Sequence, residues 1–219
     1  MTTAQIFTEE DDGFIPKVIS NPPVEVGGRW VLPYWRQNPR GESVCQTHMH
    51  QGDFSGVLVS GDRGASWKPH GRIMHQGAPP EVDRLIEGAV VPLGRCGAPG
   101  KSGFLFDLLR RVKARRESLC VCAWCAWSSR VADRGMDAMR MDSMELLQLF
   151  RTTRNITYSS RSLDAGLTWG APERNALPNP NSKLHVIRLS NGALMTAYNH
   201  HKYRLRQRSN LFVAVSTDE

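Results

Sequence analysis

The residues that most readily suggest chemistry are three cysteines in the run Cys120-Val-Cys-Ala-Trp-Cys125. Cys122 and Cys125 are separated by two residues, a spacing at which thiolates bind zinc. A tetrahedral site needs four ligands, however, and the sequence has neither a second pair at a suitable distance nor a nearby histidine. We therefore interpret the run as an incidental apolar cluster, and we predict no metal, no other cofactor and, with five cysteines in total, no disulfide framework.

Seven histidines are a second possible source of chemistry. They are His48, His50, His70, His75, His185, His200 and His201. None of them has the spacing of metal ligands on a recognisable element. We predict that they are loop residues.

An octet with turn chemistry occurs twice, as Ser60-Gly-Asp-Arg-Gly-Ala-Ser-Trp67 and as Ser162-Leu-Asp-Ala-Gly-Leu-Thr-Trp169. A third copy begins at Ser216-Thr-Asp. Asp and Ser side chains accept hydrogen bonds from turn amides, Gly adopts the left-handed conformation, and Trp packs beneath a loop. The residues predicted to have these structural roles are Ser60, Asp62, Gly64, Trp67, Ser162, Asp164, Gly166 and Trp169.

The elements that must position these turns are short strands. Eight apolar runs are rich in β-branched and aromatic residues and are mostly bounded by Gly, Asn, Pro or Asp, which is typical of strands. They are residues 29–35, 54–60, 85–93, 146–152, 156–162, 184–189, 193–198 and 211–216. Gly27-Gly28 and Asn191-Gly192 supply the positive φ angles of tight hairpins. We therefore predict an all-β chain.

One segment differs in composition from the rest of the chain. Residues 94–143 contain ten Lys and Arg against five acids, and thus carry +5 of the net charge of +7. They also contain four of the five cysteines. Residues 105–119 have apolar positions at helical spacing opposite a basic face, which we interpret as a solvated helix of an added segment. Because the basic character belongs to this segment, we predict no nucleic-acid partner.

The hydropathy pattern indicates an unexported, soluble chain. No apolar run approaches the roughly 18 residues of a membrane span, and the first residues lack the pattern of a signal peptide. We therefore predict no membrane partner and a cytoplasmic location.

The spacing of the octets indicates a repeat. Asp62 and Asp164 are 102 residues apart, whereas Asp164 and Asp218 are 54 apart. Without the segment 94–143 the first spacing becomes 52. A period near 50 with several short strands in each unit is typical of a β-propeller blade. We therefore predict that residues 94–143 are an insertion within a blade, either helical or disordered, and we hypothesise that they derive from a translated intron or a gene-model error.

The octet resembles the Asp-box, or BNR repeat, of the sialidase superfamily. The string from Leu177 to His200 resembles the bacterial-type branch of that superfamily. This resemblance covers about residues 14–93 and 145–219, and it implies a tail at 1–13 and one incomplete domain at 14–219. The implied fold is a partial six-bladed β-propeller in which the Asp-boxes are turns on the face away from the substrate.

The resemblance also implies an activity, the hydrolysis of a terminal sialic acid or another anionic sugar. In that family three arginines bind the carboxylate, an Asp is the acid, and a Tyr activated by a Glu is the nucleophile. Carried over by position, Glu87 is the candidate catalytic base, and Arg151 and Arg208 are candidate substrate-binding residues. His200 is a candidate sugar contact.

This chain departs from the family pattern at other positions. Phe14, Lys17 and Ser20 stand where the first arginine is expected. Trp35-Arg36-Gln37 stands where the acid Asp is expected, and Glu42 and Asp53, the nearest acids, are interpreted as solvated loop charges. The nucleophilic Tyr would lie beyond Glu219. The resemblance therefore implies a truncated and inactive sialidase-like domain.

Two other classes of function remain open. One is a non-catalytic propeller that binds glycans or proteins, which the missing arginine and acid favour. The other is a propeller enzyme of different specificity, such as a polysaccharide lyase, because one fold supports several chemistries.

Overall fold

The computed structural model describes residues 5–8, 10, 15–37, 53–75, 84–94, 144–201 and 208–217. The regular elements within these ranges are β-strands. They are β1 (Lys17–Val18), β2 (Val24–Val26), β3 (Arg29–Arg36), β4 (Phe54–Ser60), β5 (Lys68–Ile73), β6 (Ile86–Pro92), β7 (Leu146–Arg151), β8 (Ile156–Ser162), β9 (Glu173–Pro178), β10 (His185–Arg188), β11 (Leu194–Asn199) and β12 (Leu211–Ser216).

The strands form three antiparallel sheets in chain order. In sheet A, β1 and β2 pair with opposite halves of β3, and the order continues through β4 to β5. Sheet B has the order β6-β7-β8-β9, and sheet C the order β10-β11-β12. The first strands of the sheets lie close together, since β6 contacts both β2 and β10. Sequential sheets whose first strands converge have the arrangement of propeller blades.

The eight strands predicted from the sequence are all present, with ends that differ by one residue at most. Gly27 and Gly28 have φ angles of 54° and 73° and form the two-residue turn between β2 and β3, as predicted. Four strands were not predicted: β1, β2, β5 and β9. The last two are outermost in their sheets and contain Pro or Gly and charged residues, which the pairing of an edge strand tolerates.

Each complete octet connects the last two strands of its sheet, β4 and β5 in sheet A and β8 and β9 in sheet B. Asp62 accepts hydrogen bonds from the backbone N–H and the hydroxyl of Ser66, at 2.8 and 2.6 Å. Those two bonds from Ser66 and a third from Ser60 lower the pKa of Asp62 to about 2. In the second octet Asp164 binds Thr168 with the same geometry, at 2.8 and 2.6 Å. Burial raises the pKa of Asp164, but the hydrogen bonds that its carboxylate accepts, from Thr168, Ser162 and Leu167, together outweigh burial and lower this pKa.

The second octet also joins sheet A to sheet B. Ala165 is fully buried in a cluster that includes Val31 and Val57 of sheet A and Leu146 of sheet B. On the outermost strand of sheet A, Gly71 has a φ of 75°, and a Cβ there would lie 2.7 Å from the Trp169 ring. Glycine is therefore required both by the backbone conformation and by the close approach of the tryptophan.

All twelve strands belong to one compact unit, which the backbone contacts define before residue 96 and after residue 141. The predicted insertion 94–143, apart from Gly94, lies outside the described residues, as do all five cysteines. Among the described residues no helix has the length and apolar character needed to cross a membrane.

Candidate functional site

Glu87 and Arg151 meet at one end of sheet B. Ile86 at the start of β6 is paired with Arg151 at the end of β7, and the register shifts between Ile86 and Ala89. The irregular residue Glu87 turns its carboxylate to the guanidinium, and Glu87 Oε1 lies 2.9 Å from Arg151 Nη1. Both side chains are about five-sixths buried, with 17% and 16% of their surface exposed. The two candidate residues therefore form a largely buried ion pair.

The backbone of Glu87 has a left-handed conformation, with a φ of 51°. This conformation is unfavourable for a residue with a Cβ atom and is kept only where neighbouring contacts hold it. Glu87 Oε2 is buried and accepts no hydrogen bond from the described residues. The carboxylate thus has one oxygen engaged by Arg151 and a second one with unused acceptor capacity.

Asn181 forms the second hydrogen bond that holds the Arg151 side chain. Its Oδ1 accepts a hydrogen bond from Arg151 Nε at 2.9 Å. Two reciprocal hydrogen bonds between Asn179 and Ser182, at 2.9 and 3.1 Å, close the turn that presents Asn181. Among the described residues, hydrogen bonds therefore use Nε and Nη1 of Arg151 and not Nη2.

Further polar residues from sheets A and C lie beside this pair. Asn21, between β1 and β2, donates to the backbone carbonyls of Glu87 and Gly88. Lys183 donates to the carbonyl of Ser20, and His185 Nδ1 lies 3.0 Å from Asn21 Oδ1. We call this group the first-strand cluster: Ser20, Asn21, Glu87, Arg151, Asn181, Lys183 and His185. It contains two side-chain cations and one carboxylate.

The cluster and the octets lie at opposite ends of the sheets. In sheet B the ladder runs from Ile86↔Arg151 at one end to Pro92↔Leu146 and Leu146↔Ser162 at the other. The octet begins at Ser162, and Glu87 and Arg151 lie at the far end. The first octet begins at Ser60, which pairs with Trp30 at the corresponding end of sheet A. The octet residues therefore do not contribute to the cluster.

Arg208 and His200 lie beside the end of sheet C at which Asn199 of β11 pairs with Leu211 of β12. Arg208 is exposed, and no hydrogen bond among the described residues joins it to Arg151. His200 Nδ1 lies 2.8 Å from the Tyr198 hydroxyl, and burial raises the pKa of Tyr198. Neither residue is connected to the first-strand cluster by these contacts.

The surroundings of three other residues differ from the sequence interpretation. Asp53 was interpreted as a solvated loop charge, but it is buried and its Oδ2 lies 2.7 Å from Arg84 Nε. His70 and His185 were interpreted as loop residues, but they lie in β5 and β10. In each case the residue is ordered by a partner distant in sequence, which a local pattern does not reveal.

Sequence reasoning did not identify Asn21 or Asn181 as site residues. Both have a local signal, since Asn21 precedes Pro22-Pro23 and Asn181 follows Pro180, and Asn next to Pro is typical of turns. The signal predicts a turn and not the partner of the side chain. His48, His50 and Glu42 lie outside the described residues. Within the described ranges, no group of three or more His, Cys, Asp or Glu has the geometry to hold a metal ion.

Solved structures with similar folds include several sialidases. Trypanosoma rangeli sialidase superposes with a TM-score of 0.54 at 15% identity, over 96% of this chain and 26% of that one. The intramolecular trans-sialidase from Ruminococcus gnavus, solved with oseltamivir carboxylate, gives 0.53 at 13% identity, over 95% and 31%. A protein of unknown function from Dyadobacter fermentans gives 0.52 at 14% identity, over 91% and 38%.

These similarities establish the fold as a partial sialidase-like propeller, and the chain spans between about a quarter and two fifths of the length of these three neighbours. No curated protein matches the sequence. The family model described as BNR repeat-like domain matches residues 27–219, which includes all three sheets except β1 and β2. The chain therefore belongs to the BNR repeat-like domain family.

Proposed function

We propose that this chain forms part of a carbohydrate-binding surface of a sialidase-type glycoside hydrolase domain, and that Arg151 binds the anionic group of a terminal sugar. The observation that carries the proposal is the fixation of Arg151 by Glu87 and Asn181 at 2.9 Å each. A guanidinium held in one orientation with a free terminal nitrogen loses little entropy when it binds a carboxylate. Lys183 adds a second positive charge nearby.

Binding without hydrolysis is expected of the chain alone. In the sialidase mechanism an acid and a tyrosine nucleophile act in addition to the base. Glu87 is the proposed base, but the resemblance assigns no residue of this chain to the other two roles.

The test measures binding of sialyllactose and lactose to the full chain by ligand-observed NMR. Arg151→Ala should weaken sialyllactose binding by a factor of about 30, since one charge-assisted hydrogen bond contributes about 2 kcal/mol. Arg161→Ala is the matched control, because Arg161 also pairs with a glutamate, Glu145, at 2.9 Å but lies at the octet end of sheet B. Equal effects of the two substitutions at equal folded fraction would refute the site.

A second candidate is a module that binds neutral glycans without catalysis. It is favoured by the Glu87–Arg151 pair itself, which carries no net charge. A sugar hydroxyl can accept a hydrogen bond from the guanidinium of such a pair, and no anionic group on the sugar is needed. In the same experiment, lactose binding as tight as sialyllactose binding would favour this candidate over the first.

A further inference from the structure

One buried side chain, Asn21, connects the first strands of all three sheets. It lies between β1 and β2 of sheet A and is 5% exposed. Its Nδ2 donates to the carbonyl of Gly88 at 2.8 Å and to that of Glu87 at 3.2 Å, in β6 of sheet B. Its Oδ1 lies 3.0 Å from His185 Nδ1, at the start of β10 in sheet C.

The contacts of Asn21 determine the orientation of its amide. Two backbone carbonyls are acceptors only, so the NH₂ group must face them. The amide oxygen then faces His185, and because that oxygen can only accept, the hydrogen must be on His185 Nδ1. Neutral His185 is thereby restricted to the Nδ1–H tautomer, in which Nε2 is a hydrogen-bond acceptor.

The same amide holds the strained part of β6. Glu87 has a φ of 51°, and Asn21 binds the carbonyl of this residue and of the next. Lys183 donates to the carbonyl of Ser20, so the segment that carries Asn21 is itself fixed from the side of sheet C. Glu87 reaches Arg151 from this backbone conformation.

We infer that Asn21 is a positioning residue, which holds the Glu87 backbone in the conformation that pairs with Arg151 and keeps His185 as the Nδ1–H tautomer. His185 Nε2 then becomes an additional acceptor for a ligand hydroxyl. Only this last step rests on the proposed function, because the tautomer and the ion pair exist without a ligand.

The test is ¹⁵N NMR of the histidine and arginine side chains in the full, unliganded chain. The wild type should show His185 protonated at Nδ1 and a slowly exchanging Arg151 Nε–H. Asn21→Ala should shift His185 toward the Nε2–H tautomer and accelerate exchange at Arg151. Asn21→Asp should separate the two effects. Its carboxylate still accepts from His185 Nδ1–H, so the tautomer should be kept. It cannot donate to the carbonyls of Glu87 and Gly88, so exchange at Arg151 should still accelerate.

The control substitution is Asn191→Ala, which removes an Asn that accepts from the backbone N–H of Ala193 at 3.1 Å in the turn between β10 and β11. It should leave both side-chain signals unchanged. An Nε2–H tautomer in the wild type, or unchanged His185 and Arg151 signals in folded Asn21→Ala, would overturn the inference.

Sugar titration then tests the last step separately. If wild type binds sialyllactose, Asn21→Ala should weaken binding by a factor of about 10, as the loss of one hydrogen-bonding contact does. If the wild type binds neither sugar, the proposed function fails, and the NMR signals alone decide the role of Asn21.

Discussion

At the scale of single residues, a positive φ angle in a residue other than glycine shows where contacts impose a backbone conformation that most residue types disfavour. Asn155, Asn181 and Asn210 have φ near 60°, which Asn tolerates better than most residues. Glu87 does not share that tolerance, and it is the residue paired with Arg151. Arg63 and Ala165 in the two octets have the same conformation, with a φ of 58° each, so backbone strain occurs in the octet turns as well as at the candidate site.

A second residue-scale feature, the ring of His75, leads to a prediction about pH. The ring packs edge-on against Tyr158 at 4.4 Å between centroids. Burial, together with the charge of Arg154, lowers the pKa of His75 from 6.5 to about 4. Between these pH values the unfolded chain binds a proton that the folded chain excludes, so stability is complete above about pH 6.5 and decreases as the pH falls toward about 4.

Substitution of His75 by Phe should flatten this dependence, because Phe keeps a ring against Tyr158 but does not titrate. The measurement is urea unfolding of both proteins at several pH values from about 7 down to about 4.5. His70→Phe removes a histidine from β5 and is the control. A wild-type slope that persists in His75→Phe would show that another group causes the pH dependence.

At the scale of elements, the octet is a turn in which side-chain oxygens accept hydrogen bonds from backbone N–H groups. Asp164 accepts from the N–H and the hydroxyl of Thr168 and from the hydroxyl of Ser162, at 2.8, 2.6 and 2.9 Å. The Arg29 guanidinium also donates to the Asp164 carbonyl, at 3.3 Å, which ties this turn to sheet A. The octet therefore stabilises the contact between two sheets as well as its own hairpin.

Asp164→Ala should lower the free energy of unfolding by about 1–3 kcal/mol, because several donors lose their acceptor and the turn loosens against sheet A. Chemical denaturation measures the loss. Asp62→Ala is the matched comparison and should have a smaller effect, since Arg63 in that octet is exposed, whereas its counterpart Ala165 is buried. Equal losses would mean that the contact with sheet A contributes nothing.

Some strands can be predicted from the residues within and next to them, whereas others depend on partners that are distant in sequence. The ends of strands such as β4 and β8 agree with the prediction, because β-branched and aromatic residues and a following octet both mark these strands in the sequence. The edge strands β5 and β9 depend on pairing with a neighbour and have weak patterns of their own. Glu87 and Arg151 followed from family resemblance, whereas Asn21 did not, because its partners lie 66 and more residues away.

At the scale of the whole molecule, each sheet has an apolar face on the side where the next sheet in chain order lies or would lie, and the three sheets differ in how this face is covered. Val31, Val57 and Val59 of sheet A pack with Ala165 of the second octet. On sheet B the corresponding face, with Leu147 and Leu149, lines a cleft of about 430 Å³ toward sheet C. On sheet C, Leu211 and Val213 are 75% and 58% exposed. Coverage thus decreases along the chain.

This gradient predicts self-association of the isolated chain. Exposed apolar residues on β12, whose second edge is paired with no strand of the described residues, favour contact with another copy. Sedimentation velocity over a concentration series should show association in the wild type and a shift toward monomer in Leu211→Lys/Val213→Lys.

Leu163→Lys is the control for that prediction, because Leu163 is equally exposed, at 74%, but lies on the second octet and not on sheet C. It should leave the association unchanged. Lysines on β12 add charge to an edge without removing a backbone donor, so the sheet itself should be retained. If all three proteins sediment alike, sheet C is not the associating surface. If only the β12 variant dissociates, another copy of the chain covers the apolar face of sheet C. The corresponding faces of sheets A and B are covered by other parts of the same chain.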